Sequence, residues 1–355
     1  MDTEHGSRVD ELIDVDFALR TAIELLPAGP TLTEHERSEH VEGLRQAAQV
    51  STGHVQRVTG LDVSAALAHT STLVVDRQGW AKANVQSFRA MLDESVTAAL
   101  NSRKDDQKIS TLSRRSTAAE LGGLLAFLGT RVLGQYDPFG APEGRLLLVA
   151  PTVVAVGKSL NVDAHDFRLW VCLHEETHRV QFAAAPWLRD YLQGHINELG
   201  TGLLREQGIV ERLNQMMRQV PEVFGPTGSK QALDLIQTPE QRRQVDKVTA
   251  VMSLLEGHAD VVMDEVGPQV IPSVASIRRK FNERRHSSSG FDQLIKRLLG
   301  LEAKMRQYQE GARFVRAVLK EVGHEGLNLV WESPDNLPEL DEIAEPRRWL
   351  TRVQG

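Results

Sequence analysis

Apolar residues recur at i, i+3, i+4 spacing along most of this chain, the signature of helices that bury one face. Asp14-Val15-Asp16-Phe17-Ala18 opens one such run, which Pro27-Ala28-Gly29-Pro30 ends. Thr33 followed by Glu36 forms a capping-box pattern, and the helix behind it extends towards Val58. Ser71 to Asp76 breaks the period with a short extended piece, and Ala81 to about Ala99 returns to helix. Ser102 to Ser116 is polar enough for an exposed loop, and Leu121 to Leu133 is apolar and helical. The best strand candidates are Arg145 to Ala150 and Val153 to Val156, although short apolar runs fit a buried helix as well. Gly225 to Glu240 and Ser287 to Gly290 read as loops.

The next helix carries the chemistry. Asn161-Val162-Asp163 reads as a helix start with Asp163 as N-cap, and Pro186 stops the helix near Ala185. Phe167, Trp170, Val171, His174, Thr177, His178 and Phe182 share one stripe. Within it lies His174-Glu175-Glu176-Thr177-His178, an H-E-x-x-H pattern. Histidines four apart sit one turn above each other on one face, so their rings can grip one zinc ion. Glu175, the next residue round the helix, can reach a water in the metal's open position. A single histidine on an apolar face is usually a hydrogen-bonded core residue; two at this spacing with the intervening Glu favour zinc. Glu176 and Arg179 put charges where such helices are usually uncharged, and they either pair with each other or face solvent.

A catalytic zinc needs a third protein ligand. The next strong helix runs from Val248 to about Glu265 and stops at Gly267-Pro268. Glu256 lies inside its apolar stripe, where a lone carboxylate is costly to bury and a metal removes the cost. Asp260 shares that face and is placed to accept a hydrogen bond from a ligand imidazole. His258 is the competing ligand, but two residues on it points about 200° round the helix from Glu256. The bland alternative for Glu256 is a buried salt bridge to Arg278 or Arg279. The pattern Glu256-Gly257-His258-Ala259-Asp260 resembles the gluzincin arm of the zincin metallopeptidases, in which a helix after H-E-x-x-H supplies a Glu ligand and an Asp behind it. The metzincin pattern fails, because Gln181 and Ala184 stand where it needs Gly and His.

Longer segments resemble a bacterial family of zincin-like metallopeptidases. They are Val171-Cys172-Leu173-His174-Glu175 through Gln181-Phe182, Pro186-Trp187-Leu188-Arg189, Ser253 to Asp260, and Lys304-Met305-Arg306-Gln307-Tyr308. The resemblance covers nearly the full chain. It implies an α+β, mainly α fold: a zincin-like metallopeptidase domain with a small sheet, at 141–355, and a helical N-terminal region, at 1–140. It also implies zinc as cofactor and hydrolase activity on a substrate it does not specify; the expected partner is a peptide or small amide. Family members are often labelled as associated with deazaflavin-cofactor biosynthesis, but no residue here suggests a deazaflavin site. In the expected reaction His174, His178 and Glu256 hold zinc, and Glu175 activates a zinc-bound water against an amide carbonyl. Tyr308 is the first candidate to stabilise the oxyanion, with His258 and His286 as others. The alternative class is a catalytically silent zincin-fold binding or scaffold protein with a structural zinc; an open fourth position beside a substrate-sized groove separates the two.

Composition narrows the setting. The 355 residues can bury a large core, in one large or two ordinary domains. A net charge of −7 argues against nucleic acid as partner. Cys172 is the only cysteine, so no internal disulfide forms, and its bland reading is a small buried hydrophobe. The N-terminal residues lack a basic region followed by an apolar run, and no stretch reaches the ~18 apolar residues of a membrane span. These features together point to the cytoplasm, where access to a peptidase site must be narrow or its substrate special.

Overall fold

The computed structural model describes residues 7–102, 110–205, 238–286 and 301–355. Helix α1 (Val15–Leu25) starts on the Asp14 carboxylate, which accepts the Phe17 N–H. Helix α2 (Glu34–Thr59) opens on the expected capping box, with Thr33 and Glu36 exchanging side-chain-to-backbone bonds. Then come α3 (Ser64–Leu67), β1 (Ser71–Val75), α4 (Arg77–Ser102), α5 (Thr111–Gly129), β2 (Gly134–Asp137), β3 (Arg145–Val149), α6 (Ala150–Leu160), α7 (Ala164–Ala184) and α8 (Leu188–Arg205). The second half holds α9 (Pro239–Val270), α10 (Val274–His286), α11 (Leu301–Asn328), α12 (Leu340–Ala344) and α13 (Pro346–Gln354).

Two sequence expectations need correction, and one strand was not expected. Val153 to Val156 is helical, in α6, rather than extended. Pro151 lies in the first turn, and Val153, Val154 and Val156 are all buried, so the helix lacks the polar face that would have shown its period. Strand β2 was invisible because Gly-Gln-Tyr-Asp has no apolar alternation. Of the polar stretch 102–116, residues 111–116 are helical, since Ser110 caps α5 through the Ser113 N–H, and 103–109 lie outside the described residues. Of the other expected loops, 287–290 and most of 225–240 lie outside the described residues.

The three strands form one sheet in the order β1-β3-β2. β1 runs parallel to β3, with Leu73 opposite Leu147, and β2 runs antiparallel to it, with Gln135 opposite Leu147. The boundary expected near residue 140 therefore falls between strands of one sheet. β3 is the central strand, and Leu146 to Val149 are fully buried, which explains its continuous apolar run. One apolar cluster joins Leu44 and Val55 of α2, Phe167, Val171 and Leu173 of α7, and Val262 of α9. Burial of a side chain the size of Phe167 contributes about 1.5–3 kcal/mol. A second cluster joins Leu188 of α8, Leu254 and Leu255 of α9, Phe314 and Val318 of α11, and Trp349 of α13. α7 and α9 thus reach the middle of the molecule, where each contributes residues to the site.

Candidate metal centre

Asp163 caps α7 as expected, accepting the Asp166 N–H at 2.9 Å, and the helix ends at Ala184 before Pro186. The H-E-x-x-H residues occupy its middle, beyond the reach of fraying ends. The rings of His174 and His178 meet edge to face with centroids 4.8 Å apart, and their Nε2 atoms are 3.3 Å apart. Glu256 of α9 brings one oxygen to 3.6 Å from His174 Nε2 and the other to 3.9 Å from His178 Nε2.

These three donors fit a metal ion. A tetrahedral cation with bonds of about 2.0–2.2 Å spaces its donors about 3.3–3.6 Å apart; the two imidazoles stand at that spacing, and the Glu256 carboxylate, which faces each ring with a different oxygen, has to move in for one oxygen to serve beside both. Two neutral imidazoles and one carboxylate are a borderline-soft set that suits zinc. The side chains are 14–30% exposed, so the centre is reachable from solvent. The alternative salt bridge does not form: Arg278 pairs with Asp260 and Asp264, and Arg279 with Glu283. Among the described residues the ion-pair partners of Glu256 are the two histidines.

Glu175, the next residue of the motif, packs against β2 at Gly134. It is buried, and its carboxylate accepts the backbone N–H of Tyr136. A Cβ on Gly134 would lie 2.6 Å from Glu175 Cγ and 3.1 Å from its Oε1, so only glycine lets the strand come this close. Burial above all, then the charges of Glu256 and Glu176, push the Glu175 carboxyl up to about 8, against the Tyr136 bond that lowers it. A divalent cation at the three donors would act in the opposite sense.

The charged positions of the motif are also resolved. Glu176 and Arg179 pair with each other at 2.8 Å and are both buried. Thr52 of α2 joins both of them, and Thr70 accepts a further Arg179 bond at 3.0 Å. Burial raises the Glu176 carboxyl, with Arg179 opposing it. Cys172 is buried against α2, its thiol 3.7 Å from the Leu44 carbonyl, and burial pushes its pKa well up. It is the small hydrophobe that the sequence suggested.

Asp260 does not support a ligand histidine. Its carboxylate accepts from Arg278 of α10 at 2.9 Å and Arg316 of α11 at 3.2 Å. It stands one turn beyond Glu256, level with the arginines of two neighbouring helices, and they take it. The polar partner of His178 Nδ1 is Gln181, whose Oε1 lies 2.9 Å away. Gln181 is fully buried, and its amide nitrogen donates to the Leu255 carbonyl at 2.9 Å and to His258 Nδ1 at 3.0 Å. His258 faces this amide and Trp331, not the metal position, as its helical phase required. Burial, with help from His324 and His178, drives its pKa down to about 3, so it is neutral. Tyr308 and His286 lie on the backbones of α11 and α10, but their side chains fall outside the described residues.

The sequence reading missed Gln181, Gly134, Tyr136 and Gly257. Gln181 was detectable: His174, His178 and Gln181 follow i, i+4, i+7 on one face. Gly257 stands where α9 crosses α11. A Cβ there would run into the backbone of Gly311, 2.6 Å from its carbonyl oxygen and 2.5 Å from Ala312 N. The Gly beside Glu256 therefore lets the two helices touch backbone to backbone.

The family model described as zincin-like metallopeptidase matches residues 13–350. The chain belongs to that family. Its mostly helical fold with a small sheet is the family's zincin-like domain, and the family implies a metal, usually zinc. The chain is also similar to a solved structure from Chloroflexus aurantiacus, described as a candidate hydrolase with a novel fold. The two share 30% identity over 97% of this chain and 99% of that one, with a TM-score of 0.67. No curated protein matches the chain significantly.

Proposed function

We propose that this family member is a zinc-dependent hydrolase that cleaves an amide or peptide bond, with His174, His178 and Glu256 as the metal ligands and Glu175 as the general base. The observation that carries the proposal is the meeting of three donors from two helices within 4.8 Å of one another, beside a buried carboxylate. Bound zinc would supply Lewis acidity, polarising a carbonyl oxygen and making a nearby water more acidic. Glu175 contributes the proton transfers. The Tyr136 N–H bonds its carboxylate, and the strand backbone at Gly134 packs directly against its side chain. In this reading it takes a proton from the attacking water and returns it to the leaving nitrogen. Among the described residues no helix is long and apolar enough to cross a membrane.

The test combines metal and turnover measurements. Protein prepared without chelator should carry about one zinc per chain, and His174→Ala should lose it, since a catalytic site needs three protein ligands. Glu175→Gln should keep the zinc and lose hydrolysis of a peptide library, because a neutral amide cannot accept the proton at neutral pH. Wild-type protein that refuses added zinc would refute the ligand assignment. Full turnover in Glu175→Gln would remove Glu175 as the base.

A further inference from the structure

We infer that Gln181 is a positioning residue for the metal centre: it fixes His178 as the Nδ1–H tautomer and so holds the Nε2 lone pair on the metal position. The inference rests on the ligand assignment proposed above. It follows from what each atom can do. The Leu255 carbonyl oxygen can only accept, so the Gln181 atom 2.9 Å from it is the amide nitrogen. That nitrogen has two hydrogens, and the second points at His258 Nδ1. The amide cannot be turned round, because its oxygen would then face the Leu255 carbonyl oxygen, which can only accept. Gln181 Oε1 therefore faces His178 Nδ1, and an oxygen there needs a proton on the ring nitrogen. In a neutral ring the proton on Nδ1 leaves Nε2 bare, and Nε2 is the atom 3.3 Å from His174 Nε2. A metal ligand's second ring nitrogen is commonly held this way by a carboxylate or carbonyl. Here a fully buried amide does it, held in turn by the helix that supplies Glu256. His258 completes the arrangement. It is fully buried, packed on Trp331 at 5.4 Å, and accepts the amide's second hydrogen. The histidine in Glu256-Gly257-His258 thus serves the metal ligand on α7 without touching the metal.

Two substitutions separate this role from ordinary core packing. Both Gln181→Met and Gln181→Glu lose the bonds to Leu255 and His258, and only Gln181→Glu keeps an acceptor for His178 Nδ1. Zinc affinity is read by chelator competition, with circular dichroism as the check on fold. The tautomer is read from the ring nitrogen shifts of His178 in the metal-free proteins at pH 8. Gln181→Met should weaken zinc binding by about 10–100-fold, the usual effect of losing such a partner, and lose the Nδ1–H preference. Gln181→Glu should keep the Nδ1–H tautomer and bind zinc within about tenfold of wild type. Equal weakening by both variants, or an unchanged tautomer in Gln181→Met, would overturn the inference. Wild-type protein that binds no zinc would refute the ligand assignment instead, and the metal-free tautomer measurement would still decide on Gln181.

Discussion

Gly257→Ala is a small substitution with two opposed effects whose sizes the structure decides. In an open helix it should stabilise by about 1 kcal/mol, since alanine is the better helix former. At Gly257 the new methyl would stand 2.5 Å from Ala312 N and 2.6 Å from the Gly311 carbonyl oxygen. Favourable heavy-atom contacts lie near ~3.5 Å, so α9 and α11 would have to part by about 1 Å. The obstacle is backbone, which cannot swing aside as a side chain would. Overpacking typically costs about 1–3 kcal/mol, and this case belongs at the upper end, for a net loss of about 2 kcal/mol. Glu256 is the next residue, and its oxygens already lie 3.6 and 3.9 Å from the two imidazoles. Ligand distances are held within about 0.2 Å in working sites, so a shift near 1 Å should also weaken zinc binding at least tenfold. Urea unfolding of the metal-free proteins measures the first effect, and chelator competition the second. Gly123→Ala in α5 is the control, because a Cβ there meets nothing within 4 Å and should give only the stabilising helix effect. If Gly257→Ala proves as stable as Gly123→Ala and binds zinc like wild type, the close crossing is not what places Glu256.

Two further outcomes follow from the same geometry. Asp260→Ala should leave zinc affinity unchanged in chelator competition and cost at most about 1 kcal/mol, because its side chain is 42% exposed and its partners are surface arginines; a tenfold loss of affinity would restore it as a ligand's partner. His258→Leu should change the acid side of the stability profile: His258 is held neutral down to about 3 while an unfolded histidine protonates near 6.5, so the stability is present above 6.5 and is lost as pH falls towards 3, by about 1.4 kcal/mol per pH unit. Urea midpoints from pH 7 to pH 4 should fall more steeply in wild type than in His258→Leu, and parallel profiles would contradict it.

How much the sequence disclosed depended on how local each signal was. The cap at Asp163, the capping box at Thr33 and Glu36, and the i, i+4 histidines are set within one or two helical turns, and all of them stand in the structure. Glu256 was legible because a carboxylate inside an apolar stripe needs an explanation wherever the stripe is buried. Asp260 misled because helical phase fixes the direction in which a side chain leaves its own helix and says nothing of which neighbour waits there. Arg278 and Arg316 come from two other helices, one of them 56 residues further along the chain. The glycines at 134 and 257 were opaque for the same reason: each is required by a partner backbone or side chain that only the tertiary structure brings close.

The division of labour round α7 explains why charged residues survive at its centre. At about 100° per residue, His174, His178 and Gln181 fall on one side, Glu175 lies a quarter-turn away, and Glu176 and Arg179 lie on the far side. Each sector meets a different element: α9 for the first, β2 for the second, α2 for the third. A helix enclosed on all sides and lined only with apolar residues could turn by some degrees and repack, because apolar contacts have little direction. Glu176 and Arg179 remove that freedom. Their pair binds Thr52 and Thr70 by hydrogen bonds whose strength falls steeply with angle, so a rotated α7 would leave two buried charges poorly satisfied. Fixing the far face fixes the near one. The direction in which the two imidazoles point is therefore set as much by the ion pair behind the helix as by the donors in front of it.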